Sequence, residues 1–303
     1  MRNQVQLIGC PVDSGKTQAG CLMGPDSYRT AGLPKAIKEL GLNLHDLGNL
    51  TLPALGDIET AGPGFKRADT IGWTRVIAEA AQTALNHSVP IFLGGDHSLS
   101  HGSVLGSMRH AQAINRPLFV LWLDAHSDFH TPNTSASAHL HGTPLGYLTG
   151  REGFEGFPTF DKPLTQENIC LLGLRSVDAP ERAALQNSKI ICHDMRAIDE
   201  HGIGPLLAAF LAKVKGAHGL LHVSLDVDFI DPIFAPAVGT TVPGGATLRE
   251  AHLAMEMICD SGLLSALDLV ELNPFLDERG KTAQVMSDLA ASALGRRVFD
   301  RLT

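Results

Sequence analysis

The sequence predicts an α/β fold with a mostly parallel β-sheet, and three observations carry this prediction. Apolar runs of strand length recur along the chain, and helix-like segments lie between most of them. The runs are rich in bulky and β-branched residues, which is typical of strands buried on both faces. A hydrophobic fraction of 44% supports a large core, and 303 residues is a common length for one α/β domain. We therefore expect a single domain over residues 1–303.

The predicted elements alternate along the chain. Strands are expected near residues 4–9, 43–47, 90–94, 118–124, 168–174, 189–192, 219–225 and 264–271. Helices are expected between most of them, at 26–40, 68–86, 98–111, 202–215, 247–260 and 282–299. The glycine- and proline-rich stretch 52–67 and the segment 150–164 are expected to be surface loops. Alternation of this kind predicts helices on both faces of the sheet.

Composition and charge exclude several classes of function. The net charge is −8 and the lysines and arginines are scattered, which argues against a nucleic-acid partner. No apolar run approaches the length that crosses a membrane, and the amino terminus leads directly into a strand, so we expect no membrane contact and no signal peptide. The five cysteines are odd in number and lack a framework spacing, so we expect reduced thiols in a cytoplasmic protein.

The segment from Gly9 to Thr17 looks like a phosphate-binding loop but does not fit one. Five residues lie between Gly9 and Gly15, whereas the P-loop has four between its glycines. No convincing helix pattern starts after Thr17, because Gly20 and Gly24 follow closely. We therefore do not expect nucleotide binding.

Two motifs of potential metal ligands follow two of the predicted strands. The first contains Asp124, His126 and Asp128 at alternate positions, and the second contains Asp226 and Asp228. Alternate residues of a strand point to one face, and open α/β sheets hold their sites at the carboxyl ends of the strands. Five such groups at neighbouring strand ends would repel one another, and bound cations are the usual remedy.

A third motif, Gly94-Gly95-Asp96-His97-Ser98, follows another predicted strand. The glycines let the backbone turn sharply, which would direct His97 into the same crevice. The candidate ligands are then two imidazoles and four carboxylates: His97, Asp124, His126, Asp128, Asp226 and Asp228. This set is too large for one tetrahedral zinc and suits two harder ions such as Mn²⁺ that share bridging carboxylates. One such motif alone could be a solvated turn, but three after three strands favour a metal site.

On these motifs the chain resembles the ureohydrolase family of arginases and agmatinases. The matching signatures are Gly94-Gly95-Asp96-His97-Ser98, Asp124-Ala125-His126-Ser127-Asp128 and Ser224-Leu225-Asp226-Val227-Asp228-Phe229-Ile230-Asp231-Pro232. Weaker matches are Gly9-Cys10-Pro11, Gly24-Pro25, Gly173-Leu174-Arg175-Ser176-Val177-Asp178 and Glu271-Leu272-Asn273-Pro274. The resemblance spans nearly the whole chain. It implies a doubly wound, three-layer, arginase-like domain with an eight-stranded sheet, a homotrimer or homohexamer, and a loop near the mouth of the active site at 12–24.

The resemblance also implies two Mn²⁺ per chain and a guanidino substrate. The matching positions make His97, Asp124, Asp128 and Asp226 the ligands of one ion, and Asp124, His126, Asp226 and Asp228 the ligands of the other. Two-metal sites lower the pKa of a bridging water, which here would attack the guanidino carbon and release urea. Asp128 would also orient this nucleophile.

Two further residues are candidates for the chemistry. Glu271 ends the strand-like run 266–270, and the resemblance implies that its carboxylate pairs with the guanidinium, helped by Thr240. Outside this resemblance, Glu271 could be a capping or surface residue. His141 is the candidate proton shuttle, because imidazole titrates near the working pH. Its spacing from Asp128 and the following Gly142 are similar to those of arginases.

Substrate choice depends on the remaining matches. The resemblance implies that Ser137 contacts a substrate carboxylate and that Asp178 and Glu181 face an α-ammonium group. The chain departs from arginases at His130 and His139, where they usually carry asparagines that contact the carboxylate, although histidine can also donate to it. We expect hydrolysis of L-arginine to L-ornithine and urea. The two histidines favour an alternative, a ureohydrolase for agmatine or a guanidino acid, although the loop length opposes agmatine.

Two other classes of protein compete with this interpretation. A deacetylase-like zinc hydrolase would use one zinc and an Asp-x-His motif, which His97 and Asp128 argue against. A catalytically silent subunit would be indicated by a broken ligand set, and none of the six ligands is missing.

Overall fold

The computed structural model describes residues 3–52, 54 and 62–299, so half of the loop expected at 52–67 lies outside the described residues. All eight predicted strands are present. They are β1 (Gln4–Cys10), β2 (Asn43–Asn49), β3 (Val89–Gly94), β4 (Leu118–Leu123), β5 (Ile169–Leu174), β6 (Ile191–Asp194), β7 (Leu220–Asp226) and β8 (Leu264–Val270). Only β6 begins and ends two residues later than predicted.

The strands form one sheet in the order β2-β1-β3-β8-β7-β4-β5-β6. Every neighbouring pair is parallel, which sharpens the expectation of a mostly parallel sheet. The inner strands β3, β4, β5 and β7 are buried along their whole length, as strands covered on both faces must be.

The helices of the described residues are α1 (Gly24–Thr30), α2 (Leu33–Glu39), α3 (Arg67–Leu85), α4 (Ser100–Ala113), α5 (Pro144–Leu148), α6 (Ala179–Gln186), α7 (Met195–His201), α8 (Ile203–Gly216), α9 (Leu248–Ser261) and α10 (Lys281–Ala293).

The six predicted helices are found, with two corrections. The helix expected at 26–40 is broken into α1 and α2, because Gly32 adopts a left-handed conformation with φ 96°. The helix expected at 282–299 ends at Ala293, and Gly295 follows with φ 116°. Helices α5, α6 and α7 were not predicted, because with five to eight residues they are too short to show a helical period. The segment 150–164 is a loop, as predicted.

Helices cover both faces of the sheet, which gives the predicted three layers. On one face, Ile91 and Leu93 of β3 pack in a cluster with helices α8, α9 and α10. Phe92, between them, points to the other face and packs in a cluster with Trp73 and Ile77 of α3. Within the described residues, no helix is both long and apolar enough to cross a membrane. All five cysteines are free, and Cys192 is the exposed one.

The strand order places the functional site. The chain moves outward from β1 to β2, returns to β3, and then crosses to β4, with β8 and β7 inserted later between β3 and β4. The direction in which the chain crosses the sheet reverses between β3 and β4, and a crevice opens at the carboxyl ends of the four central strands. This is the position at which doubly wound sheets bind their ligands.

Candidate functional site

A pocket of about 340 Å³ opens at the carboxyl ends of the central strands. It gathers almost all of the residues that the sequence singled out: His97, His126, Asp128, His130, Ser137, His139, His141, Asp178, Glu181, Asp226, Asp228, Thr240 and Glu271. Asp124 lies directly beneath them and is 1% exposed. We call the six candidate metal ligands and Glu271 the inner wall. The rim consists of His130, Ser137, His139, Asp178, Glu181 and Thr240.

The first group of ligand atoms surrounds His97. Its Nδ1 lies 2.9 Å from Asp128 Oδ2, 3.0 Å from Asp226 Oδ2 and 3.2 Å from Asp124 Oδ2. The backbone bends at Gly95 after β3, as predicted, although neither glycine before His97 has a positive φ. The glycines also permit close packing, because a Cβ on Gly95 would lie 2.4 Å from the carbonyl oxygen of Val12.

The second group surrounds His126. Its Nδ1 lies 2.9 Å from Asp228 Oδ2 and 3.5 Å from Asp124 Oδ1. Asp124 thus presents one oxygen to each histidine, which is the arrangement of a bridging carboxylate. In each group, with His97, Asp124 and Asp226 in one and Asp124, His126 and Asp228 in the other, the potential ligand atoms lie within 4.8 Å of one another.

The inner wall contains buried ligand atoms whose positions suit binding to a cation better than hydrogen bonding to one another. Among the described residues, His97 Nδ1 and Asp128 Oδ2 are buried and have no hydrogen-bond partner of acceptable geometry, although they lie 2.9 Å apart. Buried polar groups are normally satisfied, so this pair indicates a position that a divalent cation would fill.

The electrostatics of the inner wall agree with this fit. Burial and the neighbouring charge of Asp124 raise the pKa of Asp228 to about 6, and burial and Asp228 also raise the pKa of Asp226. Burial would lower the pKa of His126, but hydrogen bonds to Asp124 and Asp228 outweigh it and raise the pKa to about 12. Carboxylates crowded in this way hold protons unless a stronger positive charge replaces them, and divalent cations supply that charge.

Trp122 and Ser224 contact the candidate ligands Asp124 and His97, and neither was among the predicted site residues. Trp122 Nε1 donates to Asp124 Oδ2 over 3.0 Å, and its ring stacks on the His97 imidazole with centroids 4.3 Å apart. Ser224 Oγ lies 2.8 Å from His97 Nε2, which leaves Nδ1 for a cation. Ser224 could have been found from sequence, because it lies two residues before Asp226 and so shares its face of β7.

Backbone strain coincides with the inner wall at two positions. Asp128 and Glu271 adopt positive φ values of 46° and 68°, a region that residues other than glycine rarely occupy. Strain of this kind persists where the surroundings fix the conformation, and it is common at functional sites. At both positions it directs a carboxylate into the pocket.

Glu271 is held by three donors. Its Oε1 accepts from the backbone N of His97 over 2.8 Å and lies 3.0 Å from His141 Nδ1, and its Oε2 accepts from the ammonium of Lys16. Lys16 was not among the predicted site residues, although it lies in the loop 12–24 that was expected near the mouth of the active site. Burial would raise the pKa of Glu271, but Lys16 and His141 hold it well below its usual value.

The rim contains a cluster around His130. Its Nε2 lies 2.9 Å from Asp178 Oδ2 and 3.5 Å from Glu181 Oε2, and its Nδ1 lies 3.0 Å from Thr134 Oγ1. Asp178 Oδ1 also caps α6 by accepting from the backbone N of Glu181. His130 therefore faces the acidic pair that was expected to meet an ammonium group.

The other rim residues lie in loops at the mouth of the pocket. Ser137 Oγ accepts from the backbone N of His139 over 3.3 Å, and His139 Nε2 lies 3.2 Å from Thr17 Oγ1. Thr240 is exposed in the loop between β7 and α9. These side chains surround the pocket, and their roles stay predictions.

Comparisons with known proteins agree with this geometry. The model of the "Arginase family" matches residues 3–295. An arginase of Brucella melitensis is 56% identical over 300 residues, covering 98% of each chain, and an arginase of Agrobacterium fabrum is 52% identical, covering 98% of this chain and 93% of the relative. The solved structure of the arginase from Bacillus caldovelox superposes with a TM-score of 0.90 at 32% identity, covering 99% of this chain and 100% of that one. With its paired histidine–carboxylate groups at the strand ends and this similarity over almost its full length, the chain belongs to the arginase family.

Proposed function

We propose that this protein hydrolyses L-arginine to L-ornithine and urea. The observation that carries the proposal is that the histidine–carboxylate groups, the Glu271–His141 pair and the acidic residues of the rim all open into one pocket. A hydrolase of this kind needs an activated water, a proton donor and a binding group for the amino-acid end of the substrate, and the pocket offers candidates for each. The 56% identity to an arginase of B. melitensis supports the same substrate.

The site is suited to two Mn²⁺ ions. His97, Asp124, Asp128 and Asp226 would hold one, and Asp124, His126, Asp226 and Asp228 would hold the other, with Asp124 and Asp226 shared. Imidazole and carboxylate ligands in this proportion suit Mn²⁺ and also Co²⁺ or Ni²⁺. When bound, such a pair supplies Lewis acidity and a water that loses its proton near neutral pH.

His141 would donate the proton to the departing amine, and Glu271 would bind the guanidinium. Because Glu271 Oε1 contacts His141 Nδ1, the other ring nitrogen, Nε2, is left for transfer of a proton to the departing amine. Burial would lower the pKa of His141, but Glu271 outweighs this and raises it, which favours the protonated ring that a proton donor needs. The carbon–nitrogen bond to the ornithine side chain breaks as that proton arrives. The nearby Glu271 carboxylate would face the guanidinium, and Asp128 would orient the attacking water.

The rim would select the amino-acid end of the substrate. Asp178 and Glu181 present carboxylates to an α-ammonium group, and Ser137, His130 and His139 are the candidate contacts for the α-carboxylate. Thr240 completes the mouth of the pocket. His130 touches both acidic residues, so it would adjust the charge that the ammonium meets.

We further propose that residues 1–303 form one catalytic domain that assembles as a homotrimer or homohexamer in the cytoplasm. The free cysteines suit a reducing compartment. The exposed side chains of Ile233 and Phe275, 70% and 74% exposed, lie on loops after β7 and β8 and suit contact with another copy of the chain. Light scattering of the purified protein would measure the number of chains.

The proposal is tested by urea release from L-arginine, agmatine and a guanidino acid, with protein loaded separately with Mn²⁺, Co²⁺ and Ni²⁺. We expect L-arginine to give the highest kcat/KM and Mn²⁺ to support activity. A higher kcat/KM for agmatine or the guanidino acid would contradict the choice of substrate. Elemental analysis that finds one tightly held zinc per chain would contradict the two-metal site.

A further inference from the structure

The buried ammonium of Lys16 has no part in the proposed reaction so far. Lys16 lies in the segment that resembles a P-loop, yet its side chain is 3% exposed and pairs with Glu271 Oε2, whose side chain is 4% exposed. A lysine is rarely buried to this extent unless its charge is paired. A buried ion pair of this kind is a weak source of stability, which makes a positional role worth testing.

The contacts of Glu271 show what the lysine controls. With Oε2 held by Lys16, Oε1 is turned toward His97 N and His141 Nδ1, at 2.8 and 3.0 Å. A carboxylate rotates as a unit, so fixing one oxygen fixes the other. Lys16 thereby helps the backbone N of His97 to hold Oε1 beside His141 Nδ1.

The residue before Lys16 fixes its position independently. The backbone N of Gly15 donates to Asp96 Oδ2 over 2.7 Å, and its carbonyl oxygen accepts from the backbone N of Leu140 over 2.7 Å and of His141 over 3.2 Å. A Cβ on Gly15 would lie 2.9 Å from the backbone N of His141, so glycine is required there. The segment thus binds the His141 loop through the backbone of Gly15, and it binds Glu271 through the side chain of Lys16.

We propose that Lys16 is a positioning residue for proton transfer, which holds Glu271 so that His141 keeps Nδ1 on the carboxylate and Nε2 toward the pocket. The inference rests on the proposed function and adds a residue to it. Without the ammonium, Oε2 would be buried and unpaired. Glu271 would then turn away from His141, and the transfer of the proton would suffer more than substrate binding.

The first test replaces Lys16 by methionine, which has a similar length and no charge, in the full-length Mn²⁺-loaded protein. We expect Lys16→Met to lower kcat for arginine by about 10- to 100-fold, the usual effect of losing a supporting contact. We expect KM to stay within about threefold and the metal content to stay at the wild-type value. Lys35→Met is the matched control, since the Lys35 side chain is 82% exposed, and it should leave kcat unchanged. A lower KM with an unchanged kcat would instead show that Lys16 competes with the substrate for Glu271, and would overturn the proposal.

The second test asks whether the effect passes through Glu271, using a double-mutant cycle with Glu271→Gln. We expect Lys16→Met to change kcat by less than about twofold in the Glu271→Gln background. Equal losses in both backgrounds would overturn the proposal. If Lys16→Met fails to fold, Lys16→Gln, which keeps a hydrogen-bond donor, enters the same cycle. A wild-type protein that releases no urea from arginine would overturn the proposed function as well, whereas an active wild type with an additive cycle overturns this inference alone.

Discussion

The inner wall and the rim of the pocket are built from different parts of the fold. Of the inner wall, Asp226 belongs to β7, and His97, Asp124 and Glu271 follow the ends of β3, β4 and β8 within three residues. Most rim residues lie in loops or at the start of the short helix α6. Exposure follows this division only in part. The side chains of Asp124 and Asp178 are 1% and 52% exposed, but Glu181 of the rim is 7% exposed and His126 of the inner wall is 24% exposed. Strand ends give fixed geometry for the chemistry, whereas loops allow the choice of substrate to vary.

We expect the largest loss of activity from replacing Asp226, a candidate ligand that both metal ions would share. Asp226→Ala removes a carboxylate that contacts His97, and we expect the loss of at least one metal ion per chain. Metal-ion catalysis is worth several kcal/mol, so kcat should fall by about 10⁴-fold. Elemental analysis and urea release measure the two effects. Asp199→Ala, at an exposed position of α7, is the control. Two ions retained by Asp226→Ala would exclude Asp226 as a ligand.

We expect the next largest loss of activity from replacing His141, which tests proton transfer separately from metal binding. His141→Ala should lower kcat by about 10²–10⁴-fold, the usual contribution of a general acid. Metal content should not change, because none of the described contacts of the His141 ring is to a candidate ligand. Steady-state kinetics and elemental analysis on the same preparation give both values. A kcat within about twofold of the wild type would remove His141 from the mechanism.

A third prediction concerns a buried histidine that joins the inner wall to a loop. His101 of α4 lies 2.7 Å from the carbonyl oxygen of Ser98 through Nδ1 and 3.0 Å from Thr143 Oγ1 through Nε2. Burial lowers its pKa from 6.5 to about 3, so the folded state requires the neutral ring. The unfolded chain therefore binds the proton first as the pH falls below about 6.5, and stability is lost down to about pH 3.

The measurement compares urea-induced unfolding of metal-free wild type and His101→Gln at pH 7.5 and 5.5. Between these values, the wild type should lose about 1.4 kcal/mol more than the variant, because one pH unit below the unfolded pKa corresponds to this free energy. Other histidines titrate in both proteins and cancel in the difference. Equal losses would mean that His101 has the same pKa in the folded protein as in the unfolded chain.

The same division explains how much the sequence could predict. The six candidate ligands lie at or just after the ends of apolar strand runs, five of them at alternate positions, so local pattern alone predicted that they meet at one edge of the sheet. Lys16 could not be found in this way, because its partner Glu271 is 255 residues away and only the assembled fold brings them together. The bend at the two glycines before His97 was predicted from their sequence, but their close packing against Val12 and Leu269 could be found only in the assembled fold. The contacts of His130 depend on a helix, α6, that was too short to predict.

The smallest expected effect tests the rim by itself. If His139 donates to the substrate carboxylate, His139→Ala should lower kcat/KM for arginine by about tenfold, since a hydrogen bond to a charged group at a partly exposed site contributes about 1.4 kcal/mol. Agmatine lacks that carboxylate, so its kcat/KM should change by less than about twofold, and it serves as the control within one variant. Metal content should stay at the wild-type value, because His139 touches Thr17 and the His141 ring and is remote from the ligands. Equal losses for both substrates would show that His139 acts through His141 on the catalytic step and not through the substrate carboxylate.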